Sequence, residues 1–293
     1  MTIDFIFKKI SDKEGSSEPF YARLWIGISE LRDSALYAKL KHSDIETYRN
    51  KFDNAYKPVL DAIGAIRTAD KDIQHSIHTH KNKILTCEIV QIQEHAIEIS
   101  ESIDKLLRDS TATFLINGVI AIKDIQKVAE IFDIEVGCLF TKEHNFKKGV
   151  SELEKQGHKL LAQFLQEVRL HWSERFILRR DSTEHDGWIL PSVEYMVQFP
   201  NKVEMIEPQV DGIPVSHYSK YMLNRVMSFV ENILIYAFKI TYEPPVLITE
   251  IPLNQRDPVC PKRFRKDLKI PGKIVPKYLE WNIKYSEDDF ELQ

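Results

Sequence analysis

Apolar residues recur three and four positions apart through most of the chain, the spacing that lines one face of a helix. The clearest stripe lies in a long helix predicted from about Phe146 to Arg179, where Leu161, Leu165, Val168, Trp172 and Phe176 form a seam. A second stripe, Ile84, Ile89, Ile92, Ile97, Ile99, Ile103 and Leu107, predicts a helix over "KILTCEIVQIQEHAIEISESIDKLLR", residues 83–108. Pro19 suits the first turn of a helix running to about Lys41. Another starts at the cap Ser43, and Pro58 is expected to kink or break it. Residues 112–134 read as a shorter helix or a helix pair, and a further helix is predicted from Ser216 to about Lys239. Strand-like runs stand near the ends: "TIDFIFKKI" early, and "VLITEI" and "YLEWNIKY" after Pro244–Pro245. Residues 186–215, rich in proline and glycine, read as a loop.

Antiparallel helices with single apolar stripes bury them best against one another. The pattern therefore predicts a mainly α fold, an up-and-down helical bundle with extra N-terminal helices over residues 1–243. A basic, proline-rich C-terminal extension with short strands, 244–293, completes it. A chain of 293 residues is long enough for a full core. Its 10 glycines are about half the usual share of ~7%. No GxGxxG or GxxxxGK[ST] is present, which excludes the common phosphate-loop routes to nucleotide binding. The formal charge of −4 gives no global pull on nucleic acid, so a polyanion must meet a local basic patch. Cys87, Cys138 and Cys260 are odd in number, far apart and without a CxxC. They read as reduced thiols, Cys87 and Cys138 buried among apolar neighbours. "MTIDFIFKKISDKEGSS" has no apolar signal core, and "TFLINGVIAI" is too short to span a bilayer. A cytoplasmic protein with no membrane partner is expected.

The most informative stretch is "LRRDSTEHDGW", residues 178–188, where an amphipathic pattern ends on two arginines, a histidine and a turn. In a continuous helix Arg180 and His185 would sit ~140° apart. Asp181 is a good N-cap with Glu184 three residues later, and Asp186-Gly187 is a turn signal. A break at Arg180/Asp181 is therefore expected, so that the two side chains converge. The structural alternative is that the arginine and the histidine interact favourably with the dipole and the unpaired carbonyls of a helix C-terminus.

In "RDSTEH" the spacing Arg180-Asp181-x-x-x-His185 resembles the R-x(4–6)-H motif of the HEPN superfamily (higher eukaryotes and prokaryotes nucleotide-binding). In that family the residue after the arginine is commonly Asn, Asp or His, and the "EHDGW" setting looks like a bacterial branch. The resemblance implies a HEPN-like helical core over roughly 83–240 and a homodimer with the motif at its interface. It also implies metal-independent endoribonuclease activity in defence, toxin–antitoxin or RNA-processing systems, with an antitoxin-like protein as a further partner. Arg180, His185 and Asp181 would be catalytic, with Arg179 and Glu184 in support, and no cofactor or metal is implied. Two features differ or stay open: Asp181 adds negative charge where Asn is commoner, and Arg179 also fits the spacing.

The chemistry suits these residue types. Cleavage by the 2′-OH needs a proton removed there, another delivered to the leaving 5′-oxygen, and charge on the phosphorane stabilised. A histidine titrating near neutrality moves protons, contributing ~10²–10⁴-fold. Arginine matches phosphate oxygens as a permanently charged fork. One imidazole cannot be base and acid at once, and two-fold pairing would supply two. RNA contact is expected from Arg175, close to Arg169, His171, Arg179 and Arg180, and from "KRFRKDLKIPGK". That stretch holds Lys262, Arg263, Arg265, Lys266, Lys269 and Lys273, with Phe264 for stacking. His75, His78 and His80 in "HSIHTH" lack the accompanying ligands of a metal site and read as a polar loop between helices. The alternative function is a non-catalytic helical module that binds nucleotide, RNA or a protein partner.

Overall fold

The computed structural model describes residues 16–40, 44–92, 97–198, 202–242 and 246–268. "TIDFIFKKI", "YLEWNIKY", Ser43, Pro244–Pro245, Lys269 and Lys273 lie outside the described residues. The fold is mainly α with small antiparallel strand pairs. A π-helical segment, Tyr21–Gly27, leads into α1 (Ile28–Leu40), and α2 follows (Ile45–Leu85). A hairpin of β1 (Val90–Ile92) and β2 (Ile97–Ile99) precedes α3 (Asp104–Glu130). Then come α4 (Glu143–Lys155), α5 (Lys159–Val168), a π-helical segment Arg169–Ser173 and α6 (Glu174–His185). Two hairpins, β3 (Glu194–Gln198) with β4 (Lys202–Ile206) and β5 (Gln209–Val210) with β6 (Ile213–Pro214), lead to α7 (Val215–Lys239). The last pair is β7 (Val246–Glu250) with β8 (Phe264–Leu268). Among the described residues no helix is long and apolar enough to cross a membrane.

The core sits where α2, α3 and α7 meet. From Arg225 to Phe238 every residue of α7 is buried, polar ones included, because α1, α2 and α3 all pack against it. Phe52, Phe132 and Phe238 meet with centroids 5.4–6.3 Å apart, and Phe164 stacks on Phe229 at 6.0 Å. Full burial of each such side chain contributes roughly 1.5–3 kcal/mol.

Several boundaries differ from the sequence reading. Pro58 does not break α2, a helix of 41 residues. Burial of Phe52, Tyr56, Val59, Leu60 and Ile63 on either side outweighs the ~3 kcal/mol cost of an internal proline. "HSIHTH" is no loop but part of α2, since Ile73, Ile77, His80 and Ile84 carry the buried stripe through it. The helix predicted over 83–108 is replaced by the end of α2, the β1–β2 hairpin and the start of α3. Cys87 turns the chain with φ +56°, exposed and not buried. Ile97 and Ile99 alternate with polar residues at the period of a strand.

The long helix predicted over 146–179 is interrupted at Gly157, whose φ of +92° closes α4. His158 N–H bonds the Leu153 carbonyl at 2.8 Å and Gly157 N–H that of Glu154 at 3.1 Å, a Schellman pair. Residues 186–215 hold two hairpins and are not the structureless loop expected. The predicted seam holds: Leu161, Leu165, Val168, Trp172 and Phe176 are all buried.

The β7–β8 hairpin is fastened to the body by buried ions. Glu231 of α7, 1% exposed, accepts from Arg23 Nε at 3.0 Å and Nη2 at 2.7 Å, and from Arg263 Nη1 at 3.4 Å. Arg263 Nε donates to Glu250 at 2.8 Å.

Candidate active site

The site residues ride on α6, and packing one turn earlier fixes that helix. Phe176, fully buried, lies against Gly118 of α3, where a Cβ would come within 2.5 Å of the ring. Phe114 meets the same ring edge-on with centroids 6.3 Å apart. From this anchor α6 runs unbroken through Arg180 and Asp181 to His185. The expected break at Arg180/Asp181 does not occur, and Asp181 is not an N-cap. The reason is the hydrogen bonding beyond it. Asp186 N–H and Trp188 N–H both bond the Ser182 carbonyl, at 3.1 and 3.0 Å, and Gly187 takes φ +70°. Asp186-Gly187 thus ends the helix as the turn signal predicted, and the capping pattern upstream is overridden by helical propagation.

A continuous helix keeps Arg180 and His185 on different sides, yet Glu184 links them. Arg180 Nη1 donates to Glu184 Oε2 at 2.6 Å, and its Nε stands 3.2 Å from Asp181 Oδ1. Donor atoms of Asp181, Glu184 and His185 all lie within 4.8 Å of one another. The four residues thus form one polar cluster at the helix end. The hydrogen bond from Arg180 holds the Glu184 carboxyl below its usual range, and the charges of Arg180, His185 and Lys123 act in the same direction. Glu184 is therefore an anion at neutral pH. Arg180 is largely covered, with 14% of its side chain exposed, while Glu184 and His185 are open to solvent.

Arg179 points elsewhere. It pairs with Asp211, and its guanidinium lies over the Trp188 ring at 4.5 Å. Asp211 and Gly212 form the two-residue turn of the β5–β6 hairpin with φ of +52° and +83°, the left-handed pair such a turn demands. Arg179 thus ties the end of α6 to that hairpin, and of the two arginines it is Arg180 that joins the Glu184–His185 cluster.

The expected RNA contacts are dispersed. Arg175 is exposed on α6. Arg169 is committed to the Thr141 carbonyl at 2.8 Å and to Glu174 at 2.8 Å. His171 bonds Glu167 at 3.0 Å. Lys262 bonds Glu30 at 2.6 Å, Lys266 the Ser34 hydroxyl at 3.0 Å, and Arg265 stands 3.4 Å from Asp267. Arg263 is 3% exposed between Glu231 and Glu250, a structural ion facing the interior. Of the histidine run, His75 and His78 are exposed, and His80 is buried with Nε2 2.7 Å from the Tyr195 hydroxyl.

Sequence reasoning missed Lys123, Trp188 and Asp211. Lys123, exposed on α3 with its ammonium 5.7 Å from the Phe140 ring centroid, brings a cation near Glu184. Nothing in its local sequence marks it, because it reaches the cluster only through the packing of α3 on α6. Asp211 had a signal, the Asp-Gly pair of a tight hairpin. A cleft of about 680 Å³ elsewhere is lined by Gln126, Cys138, Asn145 and Lys148 among others, and none of the cluster residues borders it. No family model, curated protein or solved structure matches the chain.

Proposed function

We propose that the protein is a HEPN-type, metal-independent endoribonuclease that cleaves RNA by attack of the ribose 2′-OH. The observation that carries this reading is the cluster itself: an exposed imidazole and two carboxylates whose donor atoms lie within 4.8 Å of one another at one helix end, with the Arg180 guanidinium hydrogen-bonded to one of those carboxylates at 2.6 Å. In this reading Arg180 leaves Glu184 for a phosphate oxygen when RNA arrives and stabilises the charge that develops there. His185 accepts the 2′-OH proton, and His185 of a second copy delivers one to the leaving 5′-oxygen. Asp181 and Glu184 orient the imidazole and guanidinium. Arg179, held by Asp211 and Trp188, positions the helix end. Arg175 offers a phosphate contact from the exposed side of α6.

The products test the reaction. Single-stranded RNA incubated in excess EDTA should give 2′,3′-cyclic phosphate and 5′-hydroxyl ends, and a single 2′-deoxy substitution at the scissile position should block cutting there. The rate should be bell-shaped in pH, as a paired base and acid require. Cleavage of the 2′-deoxy strand, or 5′-phosphate ends, rules the mechanism out.

One observation favours a second reading. Arg180 is largely covered and held by two carboxylates, which suits a non-catalytic helical module binding RNA, nucleotide or an antitoxin-like protein. RNA binding without cleavage by the intact protein would select it.

A further inference from the structure

Asp181, Glu184 and His185 are also a set of metal-ligand atoms. We propose that this triplet captures a late first-row divalent ion, with Zn²⁺ as the reference ligand, and that capture switches the site off. The switching clause rests on the nuclease reading above; the binding clause does not.

The spacing is the first argument. Asp181 and His185 stand one helical turn apart, and Glu184 neighbours both. Helical i, i+4 pairs project to one side, which is how paired ligands on a helix grip zinc. Bonds of about 2.0–2.2 Å in a tetrahedral shell set donors ~3.4 Å apart. The present separations of up to 4.8 Å must therefore close by roughly 1.4 Å at most. Side-chain rotation supplies this, because Asp181 and Glu184 are 44% and 31% exposed in their side chains and His185 is open.

The surroundings are the second argument. The negative end of the α6 dipole and the exposed Asp186 both favour a cation here. The two carboxylates already hold one, since Arg180 lies 2.6 Å from Glu184 and 3.2 Å from Asp181. A metal therefore competes with Arg180 for the same oxygens, and Lys123 opposes it from α3. Donor type sets the choice of ion. An imidazole with two carboxylates suits zinc and its neighbours, whereas Mg²⁺ keeps its waters and prefers oxygen alone. Once bound, the ion takes the imidazole lone pair that proton transfer needs.

Competition gives a signature that a merely adhesive surface would not. Zn²⁺ and Co²⁺ binding to the full chain is followed by calorimetry and by the visible absorption of Co²⁺. Wild type should bind one ion per chain, unaffected by a large excess of Mg²⁺. His185→Ala should lose at least tenfold in affinity and the Co²⁺ absorption. Arg180→Ala should gain affinity severalfold, the opposite sign. Equal affinity in wild type and His185→Ala, or weaker binding in Arg180→Ala, overturns the site. In the second arm Zn²⁺ is titrated into cleavage reactions of metal-free enzyme, where inhibition should track occupancy. Full activity at saturation overturns the switch. If metal-free enzyme cuts no RNA, the nuclease reading and the switch fall together, while the binding arm still decides the site.

Discussion

Replacing Glu231 with glutamine removes one charge at nearly constant shape from the centre of the buried ion cluster. Two guanidiniums depend on that carboxylate: Arg23, 5% exposed, through bonds of 3.0 and 2.7 Å, and Arg263, 3% exposed, at 3.4 Å. Glu250 still faces Arg263 after the change, but Arg23 keeps only neutral acceptors: the new amide oxygen, and Asn224 and Ser228 at 3.2 and 3.0 Å. Stranding a buried charge costs about 3–5 kcal/mol. At ~2–4 °C per kcal/mol, the scale for chains somewhat shorter than this one, the melting point should fall by roughly 6–20 °C. Glu30→Gln is the control, because its pair with Lys262 at 2.6 Å is solvated, with 53% and 28% of the two side chains exposed. That pair is worth about 0–1 kcal/mol. Urea and thermal unfolding followed by circular dichroism would measure both variants. If Glu231→Gln loses no more than Glu30→Gln, the buried ions do not hold the β7–β8 hairpin to α7, and the structural assignment of Arg263 fails with them.

Gly118→Ala puts a methyl within 2.5 Å of the Phe176 ring, so it should cost about 1–3 kcal/mol by overpacking; unchanged stability in urea would mean α6 is not seated there. Gly187→Ala forces an L side chain into φ +70° and should cost roughly 1–2 kcal/mol, read as a lower melting point; no shift would refute the left-handed closure of α6. Burial lowers the His80 pKa from the ordinary 6.5, so the unfolded chain binds a proton that the folded chain resists. Stability should therefore be full above pH 6.5 and decline below it. His80→Gln, which keeps a hydrogen-bonding group for Tyr195, should flatten that decline in urea melts at stepped pH, and an equal slope in both proteins would contradict it.

The apolar periodicity made the helical class and the seam from Leu161 to Phe176 legible, because a buried helix face has to repeat. It also placed α7 to within a residue at its start, where Val215 follows Pro214. It was blind where two periods overlap. The isoleucines of 83–108 satisfy a helix on paper, but Cys87 turns the chain and splits them between a hairpin and two helices. Pro58 and "HSIHTH" looked like interruptions because local preference was read without the core packing that overrides it. The cluster was half legible. Arg180, Asp181, Glu184 and His185 were named from chemistry and spacing, and they do gather. The route was misjudged, since Glu184 bridges an unbroken helix where a break was expected. Lys123 and Asp211 arrive from α3 and from a distant hairpin, and contacts between segments far apart in the chain leave no local trace.

The most direct measurement is RNA cleavage by purified protein in excess EDTA, comparing wild type with Arg180→Ala and His185→Ala after circular dichroism shows both variants folded. Wild type should cut and each variant should not, with the stability of His185→Ala, at an exposed position, within about 0.5 kcal/mol of wild type. Cleavage that survives both substitutions would contradict it.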